Sequence, residues 1–288
     1  VIFAAALASF ALLMTGAPNL FAEAGGFQGI FAHKNTLGLR MNILIAGACI
    51  LLFTTRGRIA WLAALILGGY LLMLSKSATS QILGLITPAA LIGIAILKLN
   101  ARQIALCMAG GVGLAAGGLA ILLMAGGDAV TFVLDSFGKD STLTGRTWIW
   151  ARGMEEIAKH PILGGGYQAF WANERSSEVM WIRHITLESV KGFHNVWVEV
   201  WNDLGIPGIV SLVAVLLWYA RRVFRFHLLT PSADGLFPVF LLPIIIISAS
   251  MNNSFFRQHE MVHILLCAFF AATWLPRGTQ RRRPRHVR

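Results

Sequence analysis

Apolar residues along this chain fall in long unbroken runs, without the alternation of a half-buried strand. Residues 36–55, 59–74, 82–97, 103–124, 196–220, 236–250 and 261–275 are almost free of charge. Most approach the ~20 residues that a helix needs to cross a bilayer. Val1 to Met14 is a further apolar run without a basic segment before it. It reads as the end of a transmembrane helix, not a signal peptide, so the chain is expected to have lost its true start. The pattern predicts an all-α polytopic membrane protein of about eight transmembrane helices, a single membrane domain over residues 1–288.

One stretch breaks this rhythm. Residues 125–193 form a 69-residue connection, and connections longer than ~12–15 residues are usually functional or disordered. Disorder does not suit a segment holding Trp148, Trp150, Trp171, Trp181, Phe137, Tyr167 and Phe170. Thr144 or Ser141 is placed to cap a helix from about Gly145 to Lys159, which Lys159-His160-Pro161 would end. Trp148, Ala151 or Arg152, and Glu155 recur at helical spacing, so this helix is expected to lie on the membrane surface. The picture is one large external loop carrying surface helices.

Composition then excludes a soluble alternative. Hydrophobic residues make up 56% of the chain and charged ones 13%, with a mean hydropathy of +0.68, whereas soluble domains carry roughly 25% charge. The net charge of +11 is not gathered on a polar domain, which argues against a nucleic-acid partner. It follows the loops instead. Arg56 to Arg58, Lys98 to Arg102, Arg221 to Gly235 and the tail from Arg277 hold thirteen Lys/Arg and one acid, Asp234. The three short loops of the other set carry only Lys34, Lys76 and Arg257. The positive-inside rule places the first set and the C-terminus in the cytoplasm, and residues 125–193 outside. The three cysteines, Cys49, Cys107 and Cys267, lie in apolar runs and suggest neither disulfides nor a metal site.

Candidate chemistry gathers at the outer helix ends. His33, Lys34 and Asn35 stand at the mouth of the 36–55 span, where Asn35 or Thr36 would cap the helix. A helix start there favours an anion; the alternative is an ordinary interfacial loop with a snorkelling lysine. Arg40 lies inside the apolar run, where an arginine marks a site or a buried partner unless it snorkels outward. Arg146, at the first turn of the loop helix, is suited to grip a phosphate with two parallel hydrogen bonds, or else pairs with lipid headgroups. Gly164-Gly165-Gly166 reads as an anion-binding nest of N–H groups or as a flexible turn. His194 opens the 196–220 span as a base or as a plain interfacial histidine, and Asn195 caps that helix under either reading.

His259-Glu260-Met261-Val262-His263 matches the zinc-protease pattern H-E-x-x-H. Zinc needs a third protein ligand, and the one candidate downstream, His286, lies in the basic tail. There is no D-x-D pair, P-loop, G-x-G-x-x-G or G-x-S-x-G. Gly113 and Gly117 suit close helix packing.

Five short segments recur in a telling order: Gly29 to Gly38 around His33-Lys34-Asn35, Leu74 to Ser80, Thr142 to Thr147 with Trp150, His160 to Gly164 with Gly166, and His194 to Trp197 with Gly205 to Gly208. Together, over residues 25–260, they resemble the O-antigen ligase and exopolysaccharide polymerase family of bacterial inner-membrane proteins. The resemblance implies a metal-independent, inverting glycosyltransferase with no cofactor. It would move a glycan from an undecaprenyl-diphosphate carrier to a sugar hydroxyl, on another repeat unit or on the lipid A core, in exopolysaccharide or lipopolysaccharide assembly. By the resemblance His194 activates the acceptor hydroxyl and Arg146 holds the diphosphate, at the periplasmic side of a multi-pass inner-membrane protein. Substrate-binding positions would be His33, Lys34, Asn35, Arg40 and Asn195. Partners would be the lipid-linked oligosaccharide, its acceptor, the lipid bilayer and other polysaccharide export proteins. Relatives often carry an arginine just before the His-Lys-Asn segment. Here the stretch is Gly25-Gly26-Phe27-Gln28, so Lys34 or Arg40 would supply the second cation. The His-Lys-Asn form favours a polymerase over a ligase. The alternatives are an intramembrane zinc protease on His259 and His263 and a non-catalytic transporter of lipid-linked glycan.

Overall fold

The computed structural model describes residues 1–17, 20–21, 25–31, 33–100, 146–186, 192–229 and 233–250, with isolated positions between 102 and 110 and between 264 and 271. Most of the 103–124 and 261–275 runs, the Ser141/Thr144 cap, the Gly113/Gly117 pair, the His259–His263 motif and the basic tail lie outside the described residues.

The apolar runs that are described became helices. They are α1 (Ile2–Thr15), α2 (Lys34–Thr54), α3 (Arg58–Leu74), α4 (Ala78–Leu97), α8 (Val196–Leu229) and α9 (Ala233–Ser250). Between α4 and α8 stand three helices of the long connection: α5 (Arg146–Lys159), α6 (Ala169–Ala172) and α7 (Ser177–Thr186). Among the described residues there is no strand, only an isolated bridge between Phe21 and Phe27. By length and composition α2, α4 and α8 suffice to cross a membrane, and α1, α3 and the Gly235–Ser250 part of α9 are shorter apolar helices. This helical makeup follows from the solvent. Inside lipid every backbone N–H and C=O must be satisfied within its own segment.

α2 is the hub. It packs against α1, α3, α4 and α9 and buries nearly every residue from Leu37 to Ile50. Small residues set these contacts, as expected where lipid removes the hydrophobic drive between helices. A Cβ on Gly38 would meet Ser80 Oγ at 2.5 Å, and one on Gly84 would overlap Leu72. Asn42, wholly buried, donates from Nδ2 to the Ser80 carbonyl at 2.9 Å. That bond ties α2 to α4.

The start of α2, the end of α3, the starts of α4 and α8 and the end of α9 share one end of the bundle. Phe27 N donates to Leu74 O at 2.8 Å there, and Trp197 Nε1 to Ser250 Oγ at 3.1 Å. Over this end sits a cap with its own core of Ile149, Trp171, Val179, Ile182 and Phe193. The Phe193 ring lies 5.0 Å from Trp171 and 5.1 Å from Phe170.

α8 breaks at Gly205 (φ 64°, ψ −155°), a conformation that essentially only glycine adopts. The break lets the 160–168 segment dock. Gly165 N donates to Asn202 O at 2.7 Å, Gly166 N to Asp203 O at 3.0 Å, and Ile206 N to Ile162 O at 3.0 Å. Asp203 Oδ2 accepts from Gln168 N at 2.8 Å. The Gly164–Gly166 run is thus neither an anion nest nor a loose turn, because carbonyls at the kink take up the N–H groups of Gly165 and Gly166.

Candidate functional site

The site begins at the first turn of α2. The expected caps were Asn35 or Thr36; the structure caps the helix with His33 instead. His33 is extended (φ −155°, ψ 144°), and its Nδ1 accepts from Asn35 N at 3.1 Å. A ring whose Nδ1 accepts carries its neutral-state proton on Nε2, so His33 presents an N–H to its surroundings. Burial, with Lys34 and then Arg146 adding positive potential, pushes the His33 pKa down to about 4. At neutral pH the ring is uncharged.

His194 faces it. The two imidazole centroids lie 6.3 Å apart with planes inclined by 37°. His194 has φ +52°, a left-handed conformation costing a non-glycine residue about 1–2 kcal/mol. Its neighbours hold it there. Phe193 N donates to the buried Glu199 carboxylate at 2.7 Å, and Trp150 Nε1 donates to Phe193 O at 2.9 Å. Asn195 Oδ1 caps α8 by accepting from Trp197 N at 2.9 Å, the cap expected from sequence. Gly153 permits the approach of α5, since a Cβ there would meet the Phe193 ring at 3.0 Å. Strain of this kind persists only where surrounding structure over-determines it, and it concentrates at functional sites.

Arg146, the first residue of α5, reaches the same end of the bundle. With Asn35, Leu39, Ser77, Thr79, Ser80 and Ser248 it lines an open cleft. Four separate segments meet here, and no carboxylate is among the lining residues.

The structure therefore brings His33, Asn35, Arg146, His194 and Asn195 to one place. Lys34 and Arg40 are not among the residues lining the cleft. Lys34 Nζ donates to Gly25 O at 2.8 Å, bracing the loop before α2. Arg40 is 5% exposed within α2, roughly 9 Å inward from the helix start at 1.5 Å per residue. Thr79 and Ser248 were missed as cleft residues, and Trp150, Gly153 and Glu199 as supports of His194. The hydroxyl-dense stretch from Ser75 to Ser80, set between apolar runs, was the available signal for the first of these.

α5 is less a surface float than expected. Its Ile149 and Ile157 are buried, and it packs on the start of α8. Its outer face carries Trp148, which is 50% exposed, the Arg152–Glu155 ion pair, and Arg152 stacked 5.2 Å from the Trp181 ring.

Comparison with known proteins finds two similarities. Residues 41–213 match the sequence pattern of a family described as O-antigen ligase. The chain is also 35% identical over 204 residues to the exopolysaccharide production protein ExoQ of Rhizobium meliloti (strain 1021), an alignment taking in 66% of this chain and 45% of that protein. The chain thus spans about half the length of the curated relative it matches.

Proposed function

The chain belongs to the O-antigen ligase family, and from that membership we propose that it transfers a glycan from an undecaprenyl-diphosphate carrier to a sugar hydroxyl. The setting is surface-polysaccharide assembly in a bacterial inner membrane. The observation that carries this reading is the convergence of Arg146, His33, Asn35 and His194, drawn from three segments far apart in sequence, on one end of an apolar bundle. That end faces the periplasm, and the basic loops and C-terminus face the cytoplasm.

The step is an inverting displacement without a metal. The acceptor oxygen attacks the anomeric carbon from the face opposite the diphosphate. A carbon–oxygen bond to the acceptor forms while the bond to the carrier phosphate breaks, and the diphosphate leaves with the electron pair. His194 takes the hydroxyl proton as general base. A diphosphate is already a stable anion, so its departure needs positive charge nearby more than a general acid, and Arg146 supplies it. His33, neutral with its proton on Nε2, contributes a fixed hydrogen-bond donor between the two. The acceptor is the end of another glycan, as in a polymerase, the form that His33-Lys34-Asn35 favours over transfer to a lipid A core.

The test is a gel of high-molecular-weight polysaccharide from cells lacking the native protein and expressing wild type, His194→Ala, Arg146→Lys or His259→Ala. The proposal expects polymer only from wild type and His259→Ala. Polymer that persists with His194→Ala rejects the assignment of the base. Loss with His259→Ala alone, together with bound zinc, turns the case to the protease.

A further inference from the structure

Arg146 cannot hold a diphosphate alone. Two phosphoryl groups offer many acceptor oxygens, and one guanidinium satisfies only a pair of them. The cleft around it holds further polar groups. Ser77 and Ser80 are occupied with each other, Oγ to Oγ at 3.0 Å. By contrast, the Asn35 amide and the Thr79 and Ser248 hydroxyls make no side-chain hydrogen bond among the described residues. These three come from α2, α4 and α9 and surround the cleft that Arg146 enters from α5.

The composition of this ring selects its ligand. A divalent cation held by protein needs carboxylates or several carbonyl oxygens, and none of the lining residues is acidic. No aromatic side chain lines the cleft either, which leaves a sugar ring without a stacking surface. One cation plus hydroxyl and amide donors is the chemistry of a phosphoryl oxygen, and the donors stay neutral over the working pH range.

We infer that Asn35, Thr79 and Ser248 complete, with Arg146, a phosphoryl-binding subsite that grips the diphosphate of the lipid carrier. This rests on the glycosyl-transfer reading above, which already includes Asn35, and adds Thr79 and Ser248 to it, from the start of α4 and the end of α9. The neutral donors follow the diphosphate as charge builds on it, while His194 acts on the acceptor and His33 stands between the two.

The same phosphoryl chemistry is offered by an ordinary phospholipid headgroup, and the test separates the two. The full protein in phosphatidylcholine nanodiscs is titrated with labelled undecaprenyl diphosphate, with phosphatidylglycerol as competitor. Thr79→Val and Ser248→Ala are each expected to weaken binding about tenfold, the loss of one hydrogen bond to a charged group. Thr79→Ser, which keeps the hydroxyl, retains affinity and shows that the fold is intact. If Thr79→Val and Ser248→Ala bind as wild type while Arg146→Ala is weakened, the subsite is wrong and the transfer reading stands. If Arg146→Ala also binds unchanged, both fail. Phosphatidylglycerol competing as well as the diphosphate overturns the inference in favour of a headgroup site.

Discussion

Replacing Gly205 with alanine tests how the outer cap is fixed to the bundle. Gly205 holds φ 64° and ψ −155°, and an added Cβ would overlap the Ile162 carbonyl oxygen. The chain has two ways to absorb it. Keeping the loop docked means holding alanine in a region that costs about 1–3 kcal/mol, with the overlap still to be relieved. Lifting the loop instead gives up the Gly165–Asn202, Gly166–Asp203 and Ile206–Ile162 backbone bonds. At about 1 kcal/mol net each, that loses about 3 kcal/mol. Either route predicts a destabilisation of about 3 kcal/mol, a drop in Tm of roughly 6 °C or more. Tryptophan-fluorescence melts of the detergent-solubilised protein measure it. Gly165→Ala is the control, since its Cβ would meet nothing nearer than Asn202 O at 3.7 Å, and it should melt within a degree or two of wild type. Equal melting of Gly205→Ala and Gly165→Ala would refute the docking argument.

Three further outcomes follow from the geometry. Trp150→Phe keeps an aromatic ring but strips Phe193 O of its donor; it should cost about 1–3 kcal/mol in stability and lower kcat in a glycan-transfer assay more than it raises KM. Asn195→Ala removes the α8 cap and should cost about 1 kcal/mol in thermal unfolding, with Asn195→Asp recovering most of it. His33 titrates near pH 4 in the folded chain against an ordinary value of 6.5, so the unfolded chain takes up the proton first. Its contribution is whole at pH 7 and declines as pH falls from 6.5 to about 4. His33→Asn, which keeps a capping side chain, should flatten that part of the stability–pH curve, and His33→Leu should lose the cap as well.

The helices were legible because a bilayer imposes a length and an apolar composition that a linear sequence displays directly. α2, α3, α4 and α9 appear within a few residues of their apolar runs, and Asn195 caps α8 as its residue type suggests. What escaped was pairing over distance. The Gly164–Gly166 run reads locally as a nest or a turn, because the carbonyls that take its N–H groups sit almost forty residues away at a kink. His33 was passed over as a cap since asparagine and threonine follow it and are the commoner capping types; an imidazole Nδ1 serves equally. Lys34 and Arg40 were placed at the site by charge and position along the chain. In the folded bundle Lys34 braces Gly25 and Arg40 is buried within α2, and neither is among the residues lining the cleft. Ser248 stands more than a hundred residues from Arg146, and only the packing of α9 against α2 brings it to the cleft.

The central claim is that His194 acts on the acceptor while Arg146 holds the donor, and one measurement separates these roles. Purified protein is mixed with a lipid-linked oligosaccharide donor, and both donor affinity and release of undecaprenyl diphosphate in a single turnover are followed. The account predicts that His194→Ala binds the donor as tightly as wild type and releases no diphosphate, while Arg146→Lys loses affinity and turnover together. Single-turnover release by His194→Ala at the wild-type rate would contradict it.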